Sequence, residues 1–176
     1  MKILSHVCCA PCFTYVHETM IDDGHTVTGF FYNPNIHPFE EYVKRRDSLV
    51  RYAEMKRVDV IYDDEYQIEE FLKGILACKN RCEYCYMDRL ERTASLAAEE
   101  GFEAFTSTLL ISPYQQHGLI REIGEKLSEE HDVPFFYRDF RRGYRDSRRL
   151  TFELGLYRQK YCGCIISEYE RQRGEI

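Results

Sequence analysis

The apolar residues of this chain alternate between two patterns, short β-branched or aromatic runs typical of strands and longer runs with helical periodicity. The predicted strands cover residues 2–7, 26–32, 58–62, 104–110 and 134–137. The predicted helices cover about 11–21, 39–56, 67–100 with a break near 78–85, 115–130 and 144–154. Repeated strand–helix units form parallel sheets, so the sequence predicts an α/β fold around a mostly parallel five-stranded sheet.

A single domain is expected from the length of the chain. Its 176 residues are 44% hydrophobic, which is enough for a sizeable core, and neither a linker nor an internal repeat divides them. No apolar segment approaches the ~18 residues of a membrane span, and the apolar run at the start is too short for a signal peptide. We therefore expect one domain over residues 1–176, located in the cytoplasm and without a membrane partner.

Chemically distinctive loops follow four of the predicted strands. They cover residues 8–12, 32–38, 112–117 and 138–141 and contain cysteine, histidine, asparagine and arginine side chains. Because the carboxyl ends of parallel strands lie along one edge of a sheet, these loops should meet there. The sequence therefore predicts a functional site at the carboxyl edge of the sheet.

The eight cysteines fall into three groups: Cys8, Cys9 and Cys12; Cys78, Cys82 and Cys85; Cys162 and Cys164. In a reducing compartment structural disulfides do not persist, so metal binding or redox chemistry is the favoured use of these thiols. Cys12 lies in the first turn of a predicted helix, where the partial positive charge favours the thiolate that ligates metal. Cys78 stands one helical turn before Cys82, and we expect it to be a small apolar core residue.

A C-x-x-C spacing brings Cys82 and Cys85 close enough together to chelate one centre. Joined with Cys8 and Cys9, this pair makes a set of four thiolates. Such a set suits either tetrahedral zinc or an iron–sulfur cluster, and ligand softness alone does not separate the two. A zinc site that only stabilises the fold is the plain alternative, although it would not need ligands at the ligand-binding edge of the sheet.

The C-x-C pair, Cys162 and Cys164, suggests a different chemistry. With one glycine between them, the two sulfurs can form a disulfide only in a tight, strained ring. Strained disulfides are easily reduced and serve in electron transfer, so a dithiol shuttle is one interpretation. Two further metal ligands, or two unrelated thiols, remain open from the spacing alone.

Basic residues concentrate between positions 138 and 160, although the whole chain has a net charge of −6. This segment contains eight basic and three acidic residues and mixes arginines, among them Arg141, with aromatic rings. Such a mixture can grip phosphates and stack unpaired bases, while a solvated helix face is the plain alternative. Three histidines near strand ends, His6, His37 and His117, are candidates for a second metal or for proton transfer.

Six motifs extend in order over nearly the whole chain: H-V-C-C-A-P-C at 6–12, Y-N-P-N-I-H-P at 32–38, C-E-Y-C at 82–85, T-L-L-I-S-P-Y-Q at 108–115, D-F-R at 139–141 and Y-R-Q-K-Y-C-G-C at 157–164. Together they resemble the epoxyqueuosine reductase family of the QueH type. The number of motifs and their order make this resemblance specific.

The resemblance implies an activity and a fold. The activity is the last step of queuosine biosynthesis, in which the epoxide of epoxyqueuosine at the wobble position of tRNA is reduced to the cyclopentene of queuosine. The fold is a three-layer α/β sandwich like that of the adenine-nucleotide hydrolases (HUP-like), although the glycine-rich nucleotide motifs are absent from this sequence. The implied partners are tRNA and an electron donor that the resemblance does not identify.

The resemblance also implies cofactors and roles for individual residues. The cofactor is a [4Fe–4S] cluster, without cobalamin, and its ligands match Cys8, Cys9, Cys82 and Cys85. The redox-active pair matches Cys162 and Cys164. A further iron beside the cluster is expected, with Cys12 and His117 assigned to it from their positions. Independently of the resemblance, we expect Arg141 and its neighbours in the basic stretch to hold anticodon phosphates.

Two other functions use the same residues. A non-catalytic RNA-binding module could hold zinc with the same thiols and bind RNA through the same basic stretch. A thiol–disulfide oxidoreductase could work through Cys162 and Cys164 alone. Iron with acid-labile sulfide would distinguish the reductase from the zinc module, and activity toward small disulfides without the cluster would identify the oxidoreductase.

Overall fold

A computed structural model describes residues 1–174 of the chain and contains one sheet of four parallel strands. The strands are β1 (Lys2–His6), β2 (Thr26–Phe31), β3 (Val60–Tyr62) and β4 (Ala104–Ser107), in the spatial order β3–β2–β1–β4. Parallel pairing joins β1 to β2, β1 to β4 and β2 to β3. The predicted domain, 1–176, includes two residues that lie outside the described residues.

Residues 1–174 form seven α-helices around this sheet. They are α1 (Ala10–Asp22), α2 (Phe39–Lys56), α3 (Ile68–Ala77), α4 (Arg81–Glu99), α5 (His117–His131), α6 (Tyr144–Glu153) and α7 (Ile165–Gln172). Helix α1 packs against α2 and α6, while α4 packs against α3 and α5. These two helical layers with the sheet between them confirm the expected three-layer α/β class.

The strand order reverses direction at β1, and this reversal positions the site. The chain moves from β1 outward to β2 and β3, then returns to place β4 on the other side of β1. In open α/β sheets the loops diverge at such a point and leave a crevice at the carboxyl ends of the strands. The crevice of this sheet therefore lies where β1 and β4 end, at His6 and Ser107.

The predicted fifth strand, 134–137, is wrong, because this segment makes a single parallel bridge rather than a ladder. The Phe105 amide donates to the Pro134 carbonyl (3.0 Å), and the Phe136 amide donates to the Phe105 carbonyl (2.8 Å). The Tyr137 amide then turns back to the Phe135 carbonyl (3.0 Å), which ends the pairing. The sheet therefore has four strands.

Another predicted strand ends early. The strand predicted to reach residue 110 ends at Ser107, whose hydroxyl accepts a bond from the Leu109 amide and starts a 3₁₀ turn over Thr108–Ile111. The predicted break in the helical region 67–100 is confirmed, because α3 ends at Ala77 and Asn80 caps α4 by accepting bonds from the Cys82 and Glu83 amides. Helix α7 was not predicted from the sequence.

The sheet is buried on both faces. Ile3 and Leu4 on β1 and Phe105 on β4 have no exposed surface. Burial on both faces explains why two adjacent residues of β1, Ile3 and Leu4, are both apolar instead of alternating with polar ones. Burial of each such side chain contributes roughly 1.5–3 kcal/mol to folding. Within residues 1–174, no helix has the length and apolar character needed to cross a membrane.

Candidate functional site

The first cysteine group lies where β1 gives way to α1, at the crevice of the sheet. Cys8 follows the strand, Cys9 precedes the first residue of the helix with an extended backbone, and Cys12 lies in the first helical turn. All three side chains are buried, and their sulfur atoms lie within 4.8 Å of one another. The sharp entry into the helix, with Pro11 in its first turn, is what turns Cys8 and Cys9 toward the same point, 3.7 Å apart.

The three sulfurs share a hydrogen-bond network that favours a thiolate at Cys8. Hydrogen bonds from the Cys12 and Cys9 thiols, together with the Thr108 hydroxyl, hold the pKa of Cys8 well below its usual value. Burial raises the pKa of Cys9, and its bond to Cys8 raises the pKa of Cys12. The Gln159 side-chain amide also points at this group, 2.9 Å from the Cys9 sulfur. One anionic sulfur with two thiol neighbours is a soft donor set for a metal.

The second cysteine group lies at the start of α4, where the Asn80 cap orients Cys82 and Cys85. Burial raises the pKa of Cys85 to about 12, and burial likewise raises the pKa of Cys82. Nε of Arg89, one helical turn after Cys85, donates to the Cys85 carbonyl (2.9 Å), and Nη2 lies 3.1 Å from the Cys85 sulfur. The guanidinium is therefore held directly against this group.

Arg89 connects the first two cysteine groups electrostatically. Its side chain is buried, with the residue only 3% exposed, and no ion pair with a carboxylate is found for it within residues 1–174. Burial opposes its charge, but the sulfurs of Cys85 and Cys8 raise the pKa of Arg89 overall. One sulfur of α4, that of Cys85, therefore contacts this buried cation, and one sulfur of the β1–α1 turn, that of Cys8, interacts with it electrostatically.

The third cysteine group lies against the second. Cys164 is buried in a small apolar cluster with Cys85, Phe71 and Ile75, whereas Cys162 is exposed. Negative charge on Cys162 and Cys164 raises the pKa of Cys82 and the pKa of Cys85. None of the cysteines is paired in a disulfide within residues 1–174. The C-x-C pair therefore has one sulfur facing solvent and one facing the α4 thiols.

The turn over 161–164, the C-x-C turn, is fastened to α2 by Arg45, which is only 1% exposed. Its guanidinium donates to the carbonyls of Cys162 (3.0 Å) and Tyr161 (2.9 Å), and its Nε donates to Glu41 (2.8 Å). The Gly163 carbonyl accepts a further bond from the His37 amide (2.8 Å). The backbone of the C-x-C turn is thus fixed from two sides.

His117 and Arg141 lie beside each other at the edge of this site. Nε2 of His117 is 3.3 Å from the Ser112 carbonyl, while the buried Nδ1 has no hydrogen-bond partner in the described part of the chain. Burial lowers the pKa of His117, and the Arg141 charge lowers it further. Arg141 itself is exposed and pairs with Asp139, holding the pKa of that carboxyl down at about 2.

Some functional residues were missed and one expectation was wrong. Arg89, Arg45 and Gln159 contact the cysteine groups but were not singled out from the sequence. The position of Arg89 four residues after Cys85 on a helix was the one available signal, since such residues are neighbours on a helix surface. Cys78, expected to be a buried core residue, is exposed.

A parallel α/β sheet with a buried thiol group at its switch point defines the class of protein, an α/β protein with a cysteine site suited to metal binding. The family model described as "Epoxyqueuosine reductase QueH" matches residues 3–170. The chain belongs to this family, and it is accordingly an oxidoreductase.

Curated relatives bear the same name. The chain is 42% identical over 171 residues to an epoxyqueuosine reductase QueH of Dehalococcoides mccartyi, covering 97% of this chain and 94% of the relative. It is also 42% identical over 181 residues to the enzyme of the same name from Thermotoga maritima, covering 97% and 92%. The chain therefore spans nearly the full length of both relatives.

A solved structure shares the fold. The predicted tRNA methyltransferase subunit of Methanocaldococcus jannaschii aligns with a TM-score of 0.59 at 14% identity, covering 99% of this chain and 88% of the other. At this identity the likeness concerns architecture alone. It agrees with the α/β class that the sequence predicts.

Proposed function

We propose that the protein reduces epoxyqueuosine to queuosine at the wobble position of tRNA, with a [4Fe–4S] cluster held by Cys8, Cys9, Cys82 and Cys85. Family membership supports the reductase activity and the tRNA substrate. The buried thiol group supports metal binding. The particular cluster, its ligands and the redox pair are parts of the proposal.

The buried charge of Arg89 is the observation that carries this proposal. A guanidinium with no carboxylate partner inside a protein needs another counter-charge, because an unpaired buried ion is strongly destabilising. The Cys85 sulfur lies 3.1 Å from Nη2 of Arg89, and the charges of Cys85 and Cys8, from two separate elements, both raise the pKa of Arg89. The neighbouring Asp88 carboxyl interacts electrostatically with Arg89 but forms no ion pair with it in the described part of the chain. A centre with thiolate ligands from both elements would place negative charge where the cation requires it.

The size of the cysteine set favours a cluster over a single ion. The sulfurs of Cys8, Cys9 and Cys12 are close enough to share one ion, whereas Cys82 and Cys85 lie outside that close group. A cluster is larger than a single metal ion and spans more distant thiolates. Ligands from both groups therefore fit a cluster better than tetrahedral zinc.

The Cys162 and Cys164 thiols account for the electrons and protons of the reaction. Removing an epoxide oxygen as water to leave an alkene takes two electrons and two protons, and oxidation of a dithiol to a disulfide releases the same number. Cys162 is exposed and can meet an external electron donor, which then reduces the disulfide, while Cys164 faces Cys85. When bound, the cluster and a neighbouring iron would relay single electrons and polarise the oxygen.

Cys12 and His117 are proposed for the further iron. With the Nε2 proton of His117 directed at the Ser112 carbonyl, Nδ1 is left with a free lone pair, which is the state that ligates metal. The low pKa of His117 keeps the ring neutral near pH 7. The same arrangement disfavours His117 as a proton donor at Nδ1. Arg141 stays our sequence-based prediction for a phosphate contact, and a cytoplasmic location is likewise proposed.

Anaerobic metal analysis tests the cluster. Replacing Cys8 or Cys82 by alanine should abolish iron, acid-labile sulfide and the brown absorbance near ~400 nm together with activity on tRNA carrying epoxyqueuosine. Cys78→Ala is the matched control, because Cys78 is exposed and lies just before the same helix. Stoichiometric zinc without sulfide, or a Cys82→Ala protein with full colour and activity, would contradict the proposal.

Single-turnover kinetics test the redox pair. Cys162→Ser and Cys164→Ser proteins should retain iron but lose repeated turnover with a thiol reductant, because the two-electron store is gone. Unchanged steady-state turnover in both variants would remove the dithiol from the mechanism. Activity of the cluster-free protein toward small disulfides would instead favour a simple thiol–disulfide oxidoreductase.

A further inference from the structure

We propose that one exposed surface, the Tyr144 face, binds the anticodon arm of the tRNA. This face is defined by Tyr114, Tyr144, Arg145, Arg148 and Arg158. The inference rests on the proposed function, since it names the surface that would present the tRNA to the cysteine site. It narrows the sequence-based assignment, which gave the phosphate contacts to Arg141 and its neighbours, to particular residues.

Two tyrosines form the aromatic part of the face. Tyr114 is 82% exposed in the loop that leads from β4 to α5, at the carboxyl edge of the sheet. Its ring meets the ring of Tyr144 edge-on, with centroids 6.0 Å apart. Unpaired bases stack on exposed aromatic rings of this kind, and the contact tolerates different bases.

Tyr144 connects this face to the cysteine site. Tyr144 is the first residue of α6, which packs against α1, the helix whose first turn contains Cys12. Gly143, just before Tyr144, lies directly against the Tyr15 ring of α1. A base stacked on these rings would therefore lie next to the helix that begins at the first cysteine group. This is where a nucleotide must be placed if its modified base is to reach a centre held by these cysteines.

Three arginines on the Tyr144 face make no ion pair with a carboxylate within residues 1–174: Arg145, Arg148 and Arg158. Arg148 lies over the Tyr144 ring at 6.0 Å from its centroid, and the charges of Arg148 and Arg158 both act on the Tyr144 phenol. Arg145 lies one turn before Arg148 on the same side of α6. All three side chains are exposed, so their charge is available to a polyanion.

Two other arginines of the same segment are already paired with carboxylates. Arg141 pairs with Asp139, and Arg149 pairs with Asp146 and Glu153. Replacing such a carboxylate by phosphate would exchange one ion pair for another with little gain. Unpaired arginines, such as those on the Tyr144 face, should therefore contribute more to counterion release from RNA than Arg149 does.

RNA fits this surface better than an acidic protein does. The chain has a net charge of −6, which repels polyanions in general, so favourable binding needs the local concentration of unpaired arginines. Aromatic rings beside these arginines add stacking, which bases accept and carboxylate side chains do not. Charge and stacking together select a nucleic acid with unpaired bases, as in an anticodon loop.

Fluorescence anisotropy with a labelled synthetic anticodon stem–loop RNA tests the arginines. Arg148→Gln and Arg158→Gln should each weaken binding and reduce the slope of log K against log salt concentration by about 0.7–0.9, the contribution of one lost phosphate contact. Arg149→Gln is the matched control, because it removes the same charge from the same helix where carboxylates already neutralise it. Its slope should equal that of the unchanged protein.

Substitution of Tyr114 tests the stacking contact. Tyr114→Ala should weaken RNA binding by about tenfold or more, with the salt slope unchanged, and Tyr114→Phe should restore it because the ring is retained. Equal effects of Arg148→Gln and Arg149→Gln, or full affinity in Tyr114→Ala, would overturn the assignment. Poly-glutamate binding as tight as RNA binding would contradict the proposal that this face binds RNA.

Metal analysis of the same proteins separates this inference from the proposed function. The Arg148, Arg158 and Tyr114 variants should contain as much iron as the unchanged protein. If the protein holds zinc and no iron while these variants lose RNA binding as expected, the proposed reductase function is contradicted and the proposed RNA binding by the Tyr144 face is supported. If iron and activity are present and the variants bind RNA normally, only the proposed RNA binding by the Tyr144 face is contradicted.

Discussion

Cys8 differs from its two sulfur neighbours because it accepts hydrogen bonds from both and receives the Thr108 hydroxyl as well. The pKa of Cys8 is therefore low, while Cys9 and Cys12 stay thiols. Arg89 is the opposite charge in the same region, since its guanidinium faces Cys8 and Cys85. The charges of sulfur and guanidinium groups therefore oppose each other at this site.

Replacing Arg89 by methionine should shift the reduction potential of the proposed cluster to more negative values. Removing a buried positive charge next to the centre destabilises its more negative, reduced state. Anaerobic potentiometric titration followed by absorbance measures the shift. Arg92→Met is the control from the same helix, since Arg92 is paired with Asp63. An unchanged potential in Arg89→Met would contradict this charge coupling.

Gly163→Ala should destabilise the protein more than Gly101→Ala does. Both glycines have positive φ, +127° and +66°, but a Cβ at 163 would lie 3.0 Å from Ile36 and 3.1 Å from Asn35, whereas the space around 101 is open. Strain of this kind costs about 1–3 kcal/mol, and the close contacts add to it at Gly163. Urea unfolding of the two variants measures the difference. Equal losses of unfolding free energy would show that the close contacts around residue 163 do not contribute.

The cysteines could be recognised from the sequence because their chemistry is intrinsic and their spacing is local. Arg89, Arg45 and Gln159 could not, since an arginine or glutamine is usually exposed and its burial is decided by packing between distant segments. Arg141, by contrast, was singled out from the sequence, but its ion pair with Asp139 could be recognised only from the structure.

At the level of elements, α1 and α2 meet through an aromatic contact that includes a histidine. His17 lies with its ring centroid 5.2 Å from that of Phe13, and its Nδ1 is 3.0 Å from the Tyr52 hydroxyl. Burial lowers the pKa of His17, an effect that Glu18 opposes and Lys56 reinforces. The neutral ring is therefore part of the packing between these two helices.

His17→Gln should reduce the loss of stability on acidification. Because the pKa of His17 is lower in the folded state, the unfolded chain binds more protons as the pH falls below ~6.5, and acid favours unfolding. This single group contributes a slope of at most about 1.4 kcal/mol per pH unit. Unfolding free energies at several values between pH 7 and 5 give the slope, and equal slopes in both proteins would contradict the prediction.

The strands and most helices followed from periodicity, but three elements did not. The predicted fifth strand has the right composition, yet the chain turns back after one bridge to Phe105. The strand β4 ends early because the Ser107 side chain captures the Leu109 amide. Helix α7 is short and follows directly on Cys164, so its pattern is too brief to be distinguished from a loop.

At the scale of the whole molecule, the strand order decides where chemistry occurs. The reversal between β1 and β4 brings the β1–α1 turn and the Thr108 hydroxyl together, with the Cys8 amide 3.2 Å from the Thr108 oxygen. The alternation of strands and helices was enough to predict that the site lies at the carboxyl edge of the sheet. The strand order could not, because it depends on which strands pair.

Removal of the metal should lower the thermal stability of the whole molecule. The sulfurs and Arg89 are buried in the contact between the β1–α1 turn and α4, so a centre bound there would join these elements and offset the buried charge. We expect the melting temperature of anaerobically loaded protein to fall by at least about 5 °C after chelation. In calorimetry, the Cys78→Ser protein should show the same fall in melting temperature after chelation, and the Cys82→Ser protein should show none.

The fastening of the C-x-C turn to its surroundings involves main-chain atoms. Arg45 binds the carbonyls of Tyr161 and Cys162, and the His37 amide binds the carbonyl of Gly163. None of these bonds involves a sulfur atom. In the proposed catalytic cycle the two sulfurs could therefore exchange covalent partners while the main chain that carries them keeps its shape.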